Sequence, residues 1–198
     1  PQFIKQTFKD DFDSENLNLE WNFRRVPQKG TYLMNNKDGY LRLFSSKNVI
    51  ENRKGCSLLG IRQKKTDFKF SVKMLYNPIM QGGQAGISLF QKDNNYFTFT
   101  VERNREKHVL KLLLKERKKE PVVIHQTFIK LYNGSITFKV ISENNSYNFY
   151  YSLDDGTNYK SLIKTGSDKI LSKGYTGAYM GLYTTTSGRD IKEFADFD

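Results

Sequence analysis

Cysteine and histidine are scarce in this chain, and their scarcity excludes several kinds of chemistry. The 198 residues include one cysteine, Cys56, so no internal disulfide can form. The two histidines, His108 and His125, have no oriented partner in the sequence, which argues against a serine or cysteine nucleophile with an assisting base. The sequence also lacks a Cys-x-x-Cys pair, a His-x-x-x-His pair and a glycine-rich phosphate loop with lysine. We therefore expect no cofactor.

Long apolar runs are also missing. No segment approaches the length of a membrane-spanning helix, so a membrane is not an expected partner. The single cysteine favours a reducing, cytoplasmic compartment, while two glycosylation patterns beginning at Asn133 and Asn144 keep secretion open. Because the sequence begins at Pro1 and not at Met, we expect a processed chain or part of a longer one, with any targeting signal outside it.

Positive charge is in excess, with a formal net charge of +11. The basic residues form two runs, at 62–65 and 115–119. Proteins that bind single-stranded nucleic acid combine basic residues with aromatic rings on which bases stack, and neither run contains an aromatic residue. We therefore interpret both runs as solvated hairpin tips, and nucleic acid is not an expected partner.

Alternation of apolar and polar residues with a period of two dominates the rest of the chain, in which aromatic residues make up 14%. It predicts strands at 67–74, 96–101, 136–140 and 147–151, with further candidates at 3–8, 40–44, 85–90, 109–114, 122–128, 178–183 and 194–197. Turn residues separate these segments, and Ser14 is predicted to cap one short helical turn at 14–19. Many short strands without a shift in composition predict one all-β domain over residues 1–198, a two-sheet antiparallel sandwich.

Acidic residues gather near both ends of the chain. Asp11 and Asp13 lie near the beginning, and Asp196 lies near the end. If the first and last strands are neighbours, these carboxylates are weak candidates for a calcium site or for an acid/base pair in sugar hydrolysis. Turn formation, helix capping and pairing with arginine explain the same residues, and this is the interpretation that we favour. We expect no metal.

A glycine-rich segment near the end of the chain presents one aromatic ring before a strand. Gly174, Tyr175, Thr176 and Gly177 lead into the alternating residues of the predicted strand at 178–183. Glycines permit backbone conformations and close approaches that a side chain forbids, and such loops hold a ring in place on a rigid scaffold. The alternative is an ordinary turn with Tyr175 half buried.

Several segments in chain order carry a resemblance that covers nearly the whole sequence. They are Phe8 to Asp13, then Leu17, Leu19, Trp21 and Arg24 to Pro27, Gly39 to Leu43, Ala85 to Ile87 with Asn95-Tyr96, Tyr150 to Asp154, and Gly174 to Gly181 with Ala195 to Asp198. Together they resemble the C-terminal β-sandwich of family 43 glycoside hydrolases, the β-xylosidases and α-L-arabinofuranosidases. The last pair of motifs is the most specific part of the resemblance.

The resemblance implies a concanavalin A-like jelly roll that carries no catalytic residue. In such enzymes a five-bladed propeller holds the catalytic carboxylates, and the sandwich packs against it and lends a loop to the sugar pocket. The expected partner is such a catalytic propeller domain, and the implied pocket loop is Gly174, Tyr175, Thr176 and Gly177. Two features depart from the family, which usually has Phe where this chain has Tyr175 and an apolar aromatic strand end after the last Asp.

Two other functions stay open. A carbohydrate-binding module would need two or three exposed coplanar rings on one sheet face, and Tyr96 and Tyr150 are our candidates for contact with an oligosaccharide. Other tyrosines that could contribute a ring to such a face are Tyr76, Tyr132, Tyr147 and Tyr159. A stand-alone interaction or regulatory protein would instead use the scaffold to bind another protein partner.

Overall fold

The computed structural model describes residues 7–171 and 177–198. These residues form 14 β-strands and two single-turn 3₁₀ helices, at Ile50–Asn52 and Ser167–Lys169. The strands are β1 (Trp21–Phe23), β2 (Tyr32–Lys37), β3 (Tyr40–Phe44), β4 (Ser57–Arg62), β5 (Phe68–Leu75), β6 (Gln84–Lys92), β7 (Asn95–Asn104), β8 (Lys107–Lys115), β9 (Val122–Phe128), β10 (Ser135–Glu143), β11 (Ser146–Ser152), β12 (Lys160–Gly166), β13 (Tyr179–Thr185) and β14 (Phe194–Phe197).

The strands form two sheets of seven, which confirms the predicted antiparallel β-sandwich. The first sheet has the order β1-β4-β13-β6-β7-β8-β9, and the second has the order β12-β11-β10-β5-β14-β3-β2. Neighbouring strands are antiparallel throughout both sheets. No helix in the described ranges is both long and apolar enough to cross a membrane.

Aromatic side chains fill the space between the sheets. Phe97 and Phe99 of β7 in the first sheet meet Phe138 of β10 and Phe149 of β11 in the second. The ring centroids of Phe99 and Phe138 are 4.9 Å apart, and those of Phe97 and Phe149 are 5.5 Å apart. Each such pair adds about 0.5–1.5 kcal/mol to the stabilisation from buried apolar area. These four rings link the two sheets through the centre of the core.

A second apolar cluster covers part of the outer face of the first sheet. The connection between β3 and β4 contributes Ile50 and Cys56, which pack with Phe90, Tyr96 and Tyr183. These three aromatic residues alternate along their strands with residues of the main core, so they point to the opposite face of the sheet. Both faces of β7 are consequently buried at this end.

Two glycines let neighbouring strands of the first sheet approach closely. A Cβ atom added to Gly86 of β6 would overlap the backbone carbonyl oxygen of Phe99 on β7. A Cβ atom on Gly181 of β13 would lie 2.5 Å from the carbonyl oxygen of Leu59 on β4. The obstacle in both cases is backbone, which cannot move aside as a flexible side chain can.

The predicted helical turn at 14–19 is wrong, because these residues form bends and turns without helix. Asp10 holds the preceding segment instead: its carboxylate accepts hydrogen bonds from the Phe12 amide at 3.0 Å and from the Trp21 indole at 2.8 Å. These bonds fix Phe12 and Trp21 as a stacked pair with centroids 5.6 Å apart. The candidate strand at 3–8 falls mostly outside the described residues.

Candidate functional site

The glycine-rich segment falls on a connection between the two sheets. Gly174, Tyr175 and Thr176 lie outside the described residues, and Gly177 is the first described residue after them. The preceding strand, β12, belongs to the second sheet, and the following strand, β13, belongs to the first. The chain therefore passes from one sheet to the other here.

Hydrogen bonds hold both flanks of this connection. On the side of β12, the carbonyl oxygen of the fully buried Ile170 accepts a hydrogen bond from the Asn95 amide nitrogen at 3.3 Å. On the side of β13, the carbonyl oxygen of Ala178 accepts a hydrogen bond from the Gln63 backbone amide at 2.8 Å. Both flanks are thus attached to strands of the first sheet or to their immediate ends.

Gly177 lies close to Arg62. A Cβ atom at position 177 would lie 2.8 Å from Nε of Arg62 and 3.2 Å from its Nη2. Any side chain there would displace the guanidinium group, so the glycine allows arginine and backbone to pack together. This gives a structural reason for one of the two glycines that the sequence pattern singled out.

A row of paired residues crosses the first sheet beside the connection. From β4 to β8 the row consists of Arg62, Tyr179, Phe90, Tyr96 and Lys115, each opposite the next. The rings of Tyr179 and Phe90 are stacked, with centroids 5.3 Å apart and planes inclined by 18°. Because Arg62 and Lys115 begin the two basic runs, both runs begin at the same end of the sheet, where Gly177 lies against Arg62. The sequence did not predict that both runs would begin at one end of the sheet.

Arginines from other segments gather around the hairpin between β6 and β7 at this end. Asp93 in its turn pairs with Arg24, whose side chain is 5% exposed, and lies 3.7 Å from both Arg25 and Arg53. A cleft of about 450 Å³ lies beside it, with Arg53, Lys92 and Arg117 among its lining residues. One carboxylate therefore faces several cations, and the local potential is positive.

Cys56 is buried next to this arginine cluster. Burial raises the pKa of its thiol, while the guanidinium of Arg24, 3.5 Å from the sulfur, acts in the opposite direction. A thiol with a raised pKa is a poor nucleophile at neutral pH. We interpret Cys56 as a packing residue of the second apolar cluster.

The two tyrosines assigned to carbohydrate contact have different surroundings. Tyr96 is 4% exposed and belongs to the second apolar cluster, so its ring presents no open face in this domain. Tyr150 is partly exposed on the outer face of the second sheet, where Nζ of Lys139 lies 5.3 Å from its ring centroid. Of the other tyrosines in the set, Tyr76 and Tyr147 are buried and Tyr159 is partly exposed.

Asp196, the third calcium candidate, is committed to an ion pair. Its two carboxylate oxygens accept hydrogen bonds from Nε and Nη2 of Arg42 at 2.7 and 2.8 Å. The other two calcium candidates, Asp11 and Asp13, act on Asp198. Burial raises the pKa of Asp198, and the charges of the two aspartates raise it further. Over residues 7–171 and 177–198, no group of three or more histidine, cysteine or acidic side chains is arranged to hold a metal ion.

We expect chelator and millimolar calcium to give the same Tm. A ligand that binds only the folded state stabilises it, so a real calcium site would separate the two melting curves. Differential scanning fluorimetry in the two buffers measures this directly. A calcium-dependent increase in Tm that Asp11→Asn abolishes would contradict the expectation.

Comparisons with known proteins identify relatives over almost the whole length. The family model for the beta xylosidase C-terminal concanavalin A-like domain matches residues 9–198. The non-reducing end alpha-L-arabinofuranosidase BoGH43B of Bacteroides ovatus is 26% identical over 203 aligned residues, which cover 99% of this chain and 37% of that enzyme. A xylosidase/arabinosidase of Butyrivibrio fibrisolvens is also 26% identical, with 99% of this chain and 38% of the enzyme covered.

Solved structures agree on the fold. The crystal structure of xylan beta-1,4-xylosidase from Bacillus halodurans C-125 superposes with a TM-score of 0.86 at 19% identity, covering 100% of this chain and 40% of that one. The chain thus spans less than half the length of the enzymes that it matches. Since the family match extends from residue 9 to residue 198, the chain belongs to the family of beta xylosidase C-terminal concanavalin A-like domains.

Proposed function

We propose that this chain is a non-catalytic accessory domain that packs against the catalytic propeller of a family 43 glycoside hydrolase and lends residues 174–177 to its sugar pocket. The observation that carries the proposal is the family match over residues 9–198 in a chain that spans 37% of the Bacteroides ovatus arabinofuranosidase. The rest of such an enzyme is long enough for a separate catalytic domain.

The geometry around the connection suits a loop that must hold a ring in place. The hydrogen bonds at Ile170 and Ala178 attach both of its flanks to the first sheet. Fixed flanks reduce the conformational entropy that is lost when a ring is placed against a substrate. The flat apolar face of a tyrosine packs on a sugar ring, and its hydroxyl can bond to a substrate oxygen or a partner carboxylate. Tyr175 is therefore our candidate for this contact.

The charge at this end of the sandwich suits an acidic partner surface. Arg53, Lys92 and Arg117 line the cleft beside Asp93, and Arg62 lies against Gly177. Complementary charge orients two surfaces and speeds their association more than it adds affinity. We expect the propeller face that meets this end to carry acidic side chains.

Tyr175→Ala should lower kcat/KM by about tenfold in a chimera that joins this chain to the catalytic part of the Bacteroides ovatus arabinofuranosidase, in place of the matching segment. A tenfold loss corresponds to about 1.4 kcal/mol of transition-state binding, which is the scale of one lost ring contact. Release of nitrophenol from an aryl arabinofuranoside measures the rate, and Tm measures folding.

Two controls accompany this test. Tyr150→Ala removes a tyrosine from the outer face of the second sheet and should leave the rate on the small substrate unchanged. The chain by itself should release no nitrophenol. A Tyr175→Ala chimera with the parent rate and a Tm lower by several degrees would assign the ring a structural role and refute its role in the pocket.

A further inference from the structure

The outer face of the second sheet carries lysines and tyrosines in register. On β5, β10, β11 and β12, alternate side chains point away from the core. One row across these strands consists of Lys69, Ile141, Asn148 and Lys164, and the next consists of Ser71, Lys139, Tyr150 and Ser161. The two rows thus bring three lysines and one tyrosine together on one face of four neighbouring strands.

The three lysines of these rows have no acidic partner among the residues that the structure describes. Lys69, Lys139 and Lys164 make no ion pair with any residue in the described ranges. By contrast, two other cations on the same face are paired, Lys73 with Asp155 at 2.8 Å and Arg42 with Asp196 at 2.7 Å. Burial and the charge of Lys69 lower the pKa of Lys139, as expected where positive charges lie together without compensation.

The aromatic rings lie around Lys139. Its ammonium nitrogen is 3.2 Å from the ring centroid of Tyr159 and 5.3 Å from that of Tyr150. The hydroxyl of Tyr159 lies 3.4 Å from Oγ of Ser71, across the same face. Cation–π contacts of this kind fix the position of the ammonium group while leaving its charge available.

A tight turn holds Tyr159 in position. The Asp154 carboxylate accepts hydrogen bonds from the Ser152 hydroxyl, and from the Asn158 backbone amide at 2.9 Å and side-chain amide at 2.7 Å. These hydrogen bonds lower the pKa of Asp154 to about 2, because they favour its charged form. The surface is therefore organised before any ligand binds.

We propose that this surface, formed by Lys69, Lys139, Lys164, Tyr150 and Tyr159 and named here the Lys139 surface, binds an oligosaccharide that carries carboxylate groups, such as uronic acid residues. The ammonium groups would pair with the carboxylates, and the Tyr150 ring would contact the apolar face of a sugar. Tyr159 would hold the Lys139 ammonium group in position. The choice of a sugar among anionic ligands rests on the proposed function, but binding itself requires no propeller.

The dimensions favour an extended ligand. Neighbouring strands lie about 4.8 Å apart, so Lys69 and Lys164, three strand spacings from each other, are separated by about 14 Å. A single small anion cannot reach both lysines. Binding to nucleic acid would need a succession of open aromatic faces, whereas Lys139 already occupies one face of Tyr159. The arrangement therefore favours an acidic oligosaccharide over a nucleic acid strand.

Affinity electrophoresis of the purified chain in gels containing polygalacturonate tests the proposal. We expect retardation by polygalacturonate, none by the same polymer with its carboxyl groups reduced to alcohols, and loss of retardation as salt increases. Lys69→Gln and Lys164→Gln, which touch no ring, should each weaken binding by about tenfold. Lys130→Gln makes the same change of charge on an exposed loop residue and should bind like the parent.

Three results would overturn the proposal. One is no retardation of the folded chain by polygalacturonate, and another is an equal loss of binding in Lys130→Gln, which would indicate an effect of net charge alone. The third is equal or tighter binding of single-stranded DNA at matched charge, which would indicate a nucleic acid site. None of these results affects hydrolysis of the aryl arabinofuranoside by the chimera, so this proposal and the accessory function fail separately.

Discussion

Arg42→Met is expected to lower the free energy of unfolding by about 3 kcal/mol, because it leaves a buried carboxylate without its partner. Asp196 is 6% exposed, and its two oxygens accept hydrogen bonds from the Arg42 guanidinium. The same guanidinium lies 3.6 Å above the ring of Phe194, so the substitution also removes a cation–π contact. Denaturation by urea, followed by tryptophan fluorescence, measures the change.

The double variant Arg42→Met, Asp196→Leu is the control for this prediction. Replacing both members of a buried ion pair by apolar residues is often close to neutral, so the double variant should recover most of the lost stability. If the single and double variants were equally unstable, the cost would come from lost packing of the arginine stem and not from an unpaired charge.

Gly86→Ala should also cost about 3 kcal/mol of folding free energy, since overpacking against backbone forces the strands apart. The new Cβ would overlap the carbonyl oxygen of Phe99, and neither β6 nor β7 can move without disturbing the aromatic core. Gly181→Ala should behave similarly through its contact with Leu59. Thermal melting and urea denaturation of both variants provide the measurement.

Gly55→Ala is the matched control. Apart from its two chain neighbours, no described residue has an atom within 4 Å of the Cβ position at Gly55, and its φ angle is not in the left-handed region. Its Tm should stay close to that of the parent. A Gly86→Ala variant as stable as Gly55→Ala would show that the strands can separate locally at little cost.

Alternation in the sequence predicted most of the strands and missed β1, β2, β4 and β12. The segments at 40–44, 122–128 and 194–197 coincide with β3, β9 and β14. β4 escaped detection because Leu58 and Leu59 are both fully buried, one in each apolar cluster, so its residues do not alternate. β2 and β12 carry too few buried side chains to show an alternation of apolar and polar residues. β1, with three residues, is too short to show one.

Contacts between distant segments explain where the prediction of the site was incomplete. The alternating pattern places Tyr96 on the outward face of its strand. Ile50 and Cys56, which lie more than thirty positions earlier in the sequence, cover its ring. The contact of Lys139 with Tyr159 depends on the pairing of β10, β11 and β12 and on the turn at Asp154. The sequence made a meeting of acidic residues from both ends conditional on neighbouring first and last strands. Burial, and then Asp11 and Asp13, raise the pKa of Asp198, while Asp196 pairs with Arg42.

The position of β14 limits when the second sheet can assemble. This strand of four residues lies between β3 and β5, and the two residues of its ion pair, Arg42 and Asp196, are 154 positions apart. Until residues 194–197 are available, β2 and β3 have no bonded neighbour to join them to β5, and the sheet stays divided. Contacts of such long range slow folding, and exposed strand edges invite aggregation in the meantime. Synthesis on the ribosome proceeds from the N-terminus. The second sheet can therefore form completely only after almost all of the domain has been synthesised.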